Sequence, residues 1–171
     1  MRLLIHDANV LIDLLDLGLL DRALDMPYSM ETTDLVRFEV QASDQKQALT
    51  ACIEGGKLSV IASTAQQVLA IHSIHAEHSR LSLADCSVVF HALDRNGIVL
   101  SGDGRLRGEA ETMRLEVHGT PWVLDQMVEH RVLDATDAIE KLESLMGFNK
   151  RLPHKECVRL MEAWRRFTKH Q

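Results

Sequence analysis

Four carboxylates in this sequence fall where an apolar run ends or a helical pattern begins. Asp7 follows Leu3-Leu-Ile-His6, and Asp103 follows Ile98-Val-Leu-Ser-Gly102. Asp85 stands three residues after Ser82, and Glu39 follows Leu35-Val-Arg-Phe38. Carboxylates gathered without a cation repel one another, and their pKa values rise. A hard divalent cation removes that conflict. Magnesium takes oxygen ligands, usually one or two carboxylates with waters and a substrate phosphate. It lowers the pKa of a bound water and neutralises a phosphate oxygen. Oxygen ligands alone do not separate magnesium from manganese. Each acid also has an ordinary local reading. Asp7 suits a helix cap before Asn9, Ser82-x-x-Asp85 suits a capping box, Gly102-Asp-Gly104 suits a turn, and Glu39 suits a solvated helix face.

For the four to meet, the chain must alternate strands and helices. Residues 2–6, 28–32, 58–61, 98–101 and 115–118 read as strands. Helical spacing starts at Val10, where Val10, Leu11, Leu14 and Leu15 share a face that leaves Asp13 and Asp16 outside. It recurs over residues 35–40, 43–53, 64–78, 82–95, 105–113, 123–130, 135–145 and 155–167. Such alternation implies a parallel sheet covered on both faces. Ligands of open parallel sheets bind beyond the strands' carboxyl ends, where strand order reverses. If the first and fourth strands are neighbours, Asp7 and Asp103 overhang that point, and Asp85 and Glu39 reach the same mouth.

The 171 residues suit one domain, and 46% hydrophobic with 26% charged residues suits a packed core rather than disorder. Net charge of −6 argues against a broad basic surface as the means of holding nucleic acid. The charge is uneven. Lys150, Arg151, Lys155, Arg159, Arg165, Arg166 and Lys169 face only Glu156 and Glu162 in the last stretch. Cys52, Cys86 and Cys157 are widely spaced and form no CxxC pair, as expected of free thiols in a reducing, cytoplasmic setting. Residues 3–20 are apolar enough to resemble a signal peptide, but His6, Asp7, Asp13 and Asp16 interrupt them.

Four segments together resemble the PIN-domain nucleases. They are Leu3-Leu-Ile-His-Asp-Ala-Asn9, Thr32-Thr-Asp-Leu-Val-Arg-Phe-Glu39, Leu81-Ser-Leu-Ala-Asp85, and Ile98-Val-Leu-Ser-Gly-Asp103. The acids are separated by 32, 46 and 18 residues, as in small prokaryotic members of that family. The resemblance covers residues 1–123 and leaves residues 124–171 as a helical extension packed on the same domain. It implies a three-layer α/β/α fold with a five-stranded parallel sheet of order 3-2-1-4-5. It implies Asp7, Glu39, Asp85 and Asp103 as catalytic, metal-binding acids, supported through hydrogen bonds by Asn9 and Ser101. It implies an RNA substrate, magnesium or manganese as cofactor, and homodimers. For many small members it implies the role of toxin in a toxin–antitoxin pair, held inactive by a protein partner.

Arg37, Arg105 and Arg107 lie in or beside these segments and are candidate phosphate contacts, with surface solvation the ordinary alternative. Asp13, Asp16 and Asp34 read as helix-face or cap residues. His72, His75 and His78 form an HxxHxxH series whose steps of three drift round a helix, a poor geometry for zinc. Val123, Met127 and Val128, then Ile139, Leu142, Leu145 and Met146, read as core. The basic last helix, with Trp164 and Phe167, would touch RNA or an acidic partner if it did not simply pack. Three other functions compete. A haloacid-dehalogenase-type phosphatase needs an acid two residues after its nucleophile, where Asn9 stands. A phosphorelay receiver needs paired acids at the first strand and a late Lys, where His118-Gly119 stands. A PIN fold without turnover would serve as scaffold or RNA-binding subunit.

Overall fold

Leu4 and Ile5 are fully buried, which places their strand in the middle of the sheet rather than at an edge. A computed structural model of the chain describes residues 2–168, with side chains through Arg166. Strands β1 (Leu3–His6), β2 (Ser29–Thr33), β3 (Ser59–Ile61), β4 (Ile98–Leu100) and β5 (Val117–His118) form a wholly parallel sheet. Its order is β3-β2-β1-β4-β5, as the resemblance implies. Leu4 pairs with Met30 on one side and Ile98 on the other, so strand order reverses at β1 and β4.

The helices are α1 (Ala8–Asp16), α2 (Leu20–Ala23), α3 (Asp34–Glu39), α4 (Ser43–Glu54), α5 (Ala65–Glu77), α6 (Leu83–Arg95), α7 (Gly104–Thr112), α8 (Thr120–Glu129), α9 (Ala135–Phe148) and α10 (His154–Thr168). Helix α6 lies against β1, β2 and β4, with α3 and α5 beside it; α1 gathers α2, α4 and α8. Two left-handed residues set the chain's exits. Gly18, at φ 66°, ends α1 and returns the Leu19 N–H to Leu14 O. Asn96, at φ 51°, ends α6. Gly97 then passes so close to β1 that a Cβ there would sit 3.3 Å from Leu3 and Ile5.

Several elements depart from the sequence pattern. Helix α2 is a single turn, too short for its Leu20, Ala23 and Leu24 spacing to stand out from the α1 pattern. Strand β5 is only two residues long, because its partner β4 ends at Leu100. Pro121 does not delay α8 to Val123. It sits in the first turn, where a missing N–H costs nothing. The last three helices share the core: Leu124, Met127, Leu142, Leu145, Cys157 and Trp164 are all buried with the sheet residues. Trp164 is therefore not a surface contact; its indole N–H donates to Asp125 at 2.9 Å. The side chain of Phe167, and Lys169 altogether, lie outside the described residues. Cys52, Cys86 and Cys157 are free and buried. No described helix is long and apolar enough to cross a membrane.

Candidate active site

Each of the three aspartates performs the local task that the sequence allows, and each does so at a helix start beyond the strand ends. Asp7 caps α1, accepting from Ala8 N at 2.6 Å, while its own N–H donates to Leu100 O at 2.9 Å. Asp103 caps α7, one oxygen accepting from Arg105 N at 2.8 Å and Leu106 N at 3.1 Å. Asp85 closes a capping box, accepting from Ser82 N at 2.7 Å while Ser82 Oγ accepts from Asp85 N at 3.0 Å. Capping and clustering are not alternatives here. A cap occupies one carboxylate oxygen, and a helix N-terminus favours the negative charge.

A polar bridge joins the first and fourth strand ends. Ser101 Oγ donates to Asp7 Oδ2 at 2.8 Å and accepts from Asp103 N at 3.1 Å. Asn9 Nδ2 also donates to Asp7 Oδ2, and Asn9 Oδ1 accepts from Gly102 N. Asn9 and Ser101 thus hold Asp7 by its carboxylate, but Ser101 meets Asp103 only through the backbone. On the other flank, Thr33 caps α3 through Val36 N at 3.2 Å and meets Ser87 Oγ at 2.7 Å. Ser87 donates to Ala84 O at 2.7 Å, so Thr33 is the donor in that pair. This contact ties α3, which carries Glu39, to α6, which carries Asp85.

The electrostatics record the convergence. Burial pushes the Asp7 carboxyl up to about 7; the Ser101 bond opposes this, and the charges of Asp85 and Glu39 add to it. Glu39 is exposed, yet partial desolvation first and then the charge of Asp85 raise its pKa. Asp7, Glu39 and Asp85 therefore sense one another, and Asp103 adjoins through Ser101. Among the described residues, no three acidic, histidine or cysteine side chains stand at spacing fit to hold an ion unaided. The donor set suits magnesium all the same, because that ion keeps several waters and uses few protein carboxylates.

Of the arginines, Arg37 and Arg105 are exposed, and Arg105 Nε lies 3.8 Å from Asp103 Oδ1. Arg107 is half-buried beside Gly119. The histidine series does not converge. His72 is exposed, His75 Nδ1 meets Leu81 O at 2.9 Å, and His78 Nδ1 meets Glu109 at 2.7 Å. Asp13 corrects the sequence reading. It is buried rather than on the outer helix face, accepting from Thr120 Oγ1 at 2.6 Å and Asn149 Nδ2 at 3.0 Å. Spacing missed it because the late helices cover that face of α1, a long-range contact no local period records.

A cleft of about 480 Å3 adjoins the acids. Asn9, Gly102, Arg107, Thr120, Asn149 and Arg151 are among the residues that line it. The family model DUF3368, described as a PIN domain, matches residues 3–166. No curated protein matches the chain.

Proposed function

The chain belongs to the PIN-domain family, and on that premise we propose that it is a magnesium- or manganese-dependent ribonuclease whose metal-binding acids are Asp7, Glu39, Asp85 and Asp103. PIN domains are generally nucleases, so hydrolysis of a nucleic-acid backbone is the starting point; RNA as substrate and the four roles are the proposal. One observation carries it. Asp7 is almost wholly buried, with its pKa pushed up to about 7, and two further acids add to its cost of ionisation. A carboxylate kept in such a place is explained by a cation that it serves.

In this reading Asp7, Asp85 and Asp103 would hold the ion directly or through water, and Glu39 would help to hold a second ion or orient the attacking water. When bound, the metal supplies charge neutralisation at the phosphate and a more acidic water. The chain's own share is positional. Asn9 and Ser101 fix the Asp7 carboxylate, and the N-termini of α1, α6 and α7 aim three acids at one mouth. Water would attack phosphorus in line as the bond to the 3′-oxygen breaks, the water's proton leaving to solvent and the departing 3′-oxygen taking one from solvent; no serine or histidine nucleophile takes part.

The finer assignments are also proposals. Leu35 and Phe38 on α3, Val68 and Leu69 on α5 and Leu83 on α6 are exposed, which favours self-association as a homodimer; light scattering on the purified chain tests that. Three buried free thiols favour a reducing, cytoplasmic setting. A toxin role requires an antitoxin that closes the cleft, and co-purification with the product of an adjoining gene tests it. The scaffold alternative predicts RNA binding without turnover. The deciding experiment is cleavage of a panel of single-stranded RNAs with magnesium, with EDTA, and with Asp7→Asn or Asp103→Asn. Cleavage is expected only for the parent with metal; activity that survives EDTA and both substitutions would overturn the proposal.

A further inference from the structure

The segment joining α9 to α10, Asn149-Lys-Arg-Leu-Pro153, has no part in the acid site, yet it forms one wall of the cleft beside it. Its placement is built from inside. Asp13 is 7% exposed and receives Asn149 Nδ2 at 3.0 and 3.1 Å, while Thr120 of α8 donates to the same carboxylate. Asn149 Oδ1 in turn accepts from Arg151 N at 3.0 Å. A buried carboxylate thus holds the loop that presents Arg151. Arg107 lines the same cleft, its guanidinium beside Gly119 and without an ion pair to a carboxylate among the described residues. Asn9 belongs to both the cleft and the Asp7 cluster. The cleft's own acid is Glu156.

We infer that this cleft is a substrate subsite in which Arg107 and Arg151 together hold a phosphate of the RNA strand next to the one at the acids. The inference rests on the nuclease reading for its substrate, but it makes a claim of its own: the late helical region supplies a strand-binding residue. Two arginines lining one cleft suit a shared phosphate, since arginine presents a planar fork of donors. The arrangement also answers the charge problem. Net charge of −6 argues against holding RNA by a broad basic face, and arginines beside an acid cluster offset its repulsion locally.

The test is binding rather than cleavage. A fluorescein-labelled single-stranded oligoribonucleotide is titrated with the full chain in EDTA, and anisotropy is read over a range of salt. Arg151→Ala and Arg107→Ala are compared with Arg2→Ala, a charge-matched control at the far end of β1. Each cleft substitution is expected to weaken binding about three- to tenfold and to lower the salt slope by about 0.7, the share of one phosphate contact on a single strand. Arg2→Ala should do neither, and Glu156→Gln should tighten binding. Arg151 is exposed, though its charge eases the ionisation of Asp13, so its removal should lower the melting temperature only slightly. Unchanged affinity and slope in Arg151→Ala would overturn the inference, as would a parent chain that binds no RNA. Binding that depends on both arginines in a chain that never cleaves RNA would uphold the subsite and defeat the nuclease reading.

Discussion

Replacing Asp7 with Asn separates the cost of a buried charge from its use. The carboxyl is pushed from an ordinary 3.8 up to about 7. At about 1.4 kcal/mol per pH unit, that interval corresponds to about 4 kcal/mol of stability lost on ionisation. The folded-state value lies above the unfolded one, so the folded chain keeps its proton longer. This contribution is present in full below the unfolded value and disappears as pH rises through about 7. Asn carries no charge and keeps an oxygen for Ala8 N–H, now 2.6 Å away. It surrenders the acceptor that Ser101 and Asn9 both reach, which takes back about 1–2 kcal/mol. The variant should therefore be about 2 kcal/mol more stable than the parent near pH 8 in EDTA, and less stable than the parent near pH 4. Urea titrations across that range measure it. Magnesium should then stabilise the parent and leave the variant unmoved. A variant less stable than the parent by the same amount at both ends of the range would refute the electrostatic reasoning.

Other substitutions probe other joints of the site. Asp103→Asn keeps a good helix cap, so its melting temperature should hold while RNA cleavage falls by about a hundredfold or more. Thr33→Val removes the α3 cap and the bond to Ser87; a loss of about 1–2 kcal/mol in denaturant titration is expected, with slower cleavage as Glu39 and Asp85 lose their tie. Asp13→Ala strands Thr120 and Asn149 and should cost about 2–3 kcal/mol, measured in the same way. Because burial raises the Asp13 pKa, its ionisation also costs stability as pH rises above the ordinary carboxylate range, and Asp13→Asn should flatten that part of the stability profile.

Much of the site was legible in the sequence because its parts are local. An apolar run ending in Asp7-Ala-Asn9, a Ser82-x-x-Asp85 box and a Gly102-Asp103 turn each report a strand end or helix start within a few residues. Strand order came from the resemblance to PIN domains, and placing those ends together at a switch point agreed with it. What spacing could not convey was contact between distant parts of the chain. Asp13 looked like an outer-face acid because its partners, Thr120 and Asn149, lie more than a hundred residues on. Trp164 looked available because nothing nearby showed that Asp125 receives its N–H. The helix expected over residues 123–130 starts earlier, at Thr120, because a proline is tolerated in a first turn. The local readings of Asp7, Asp85 and Asp103 as helix caps all hold, and a cap does not keep a carboxylate from the proposed site, so a cap signal was no argument against one.

The central claim is that these separated carboxylates serve one divalent ion. A crystal soaked in manganese and measured at the manganese absorption edge tests it most directly. An anomalous peak is expected at the mouth beyond β1 and β4, bonded to Asp7 directly or through water, with Asp85 and Asp103 around it. Full manganese occupancy elsewhere, with Asp7 left uncoordinated, would contradict the account.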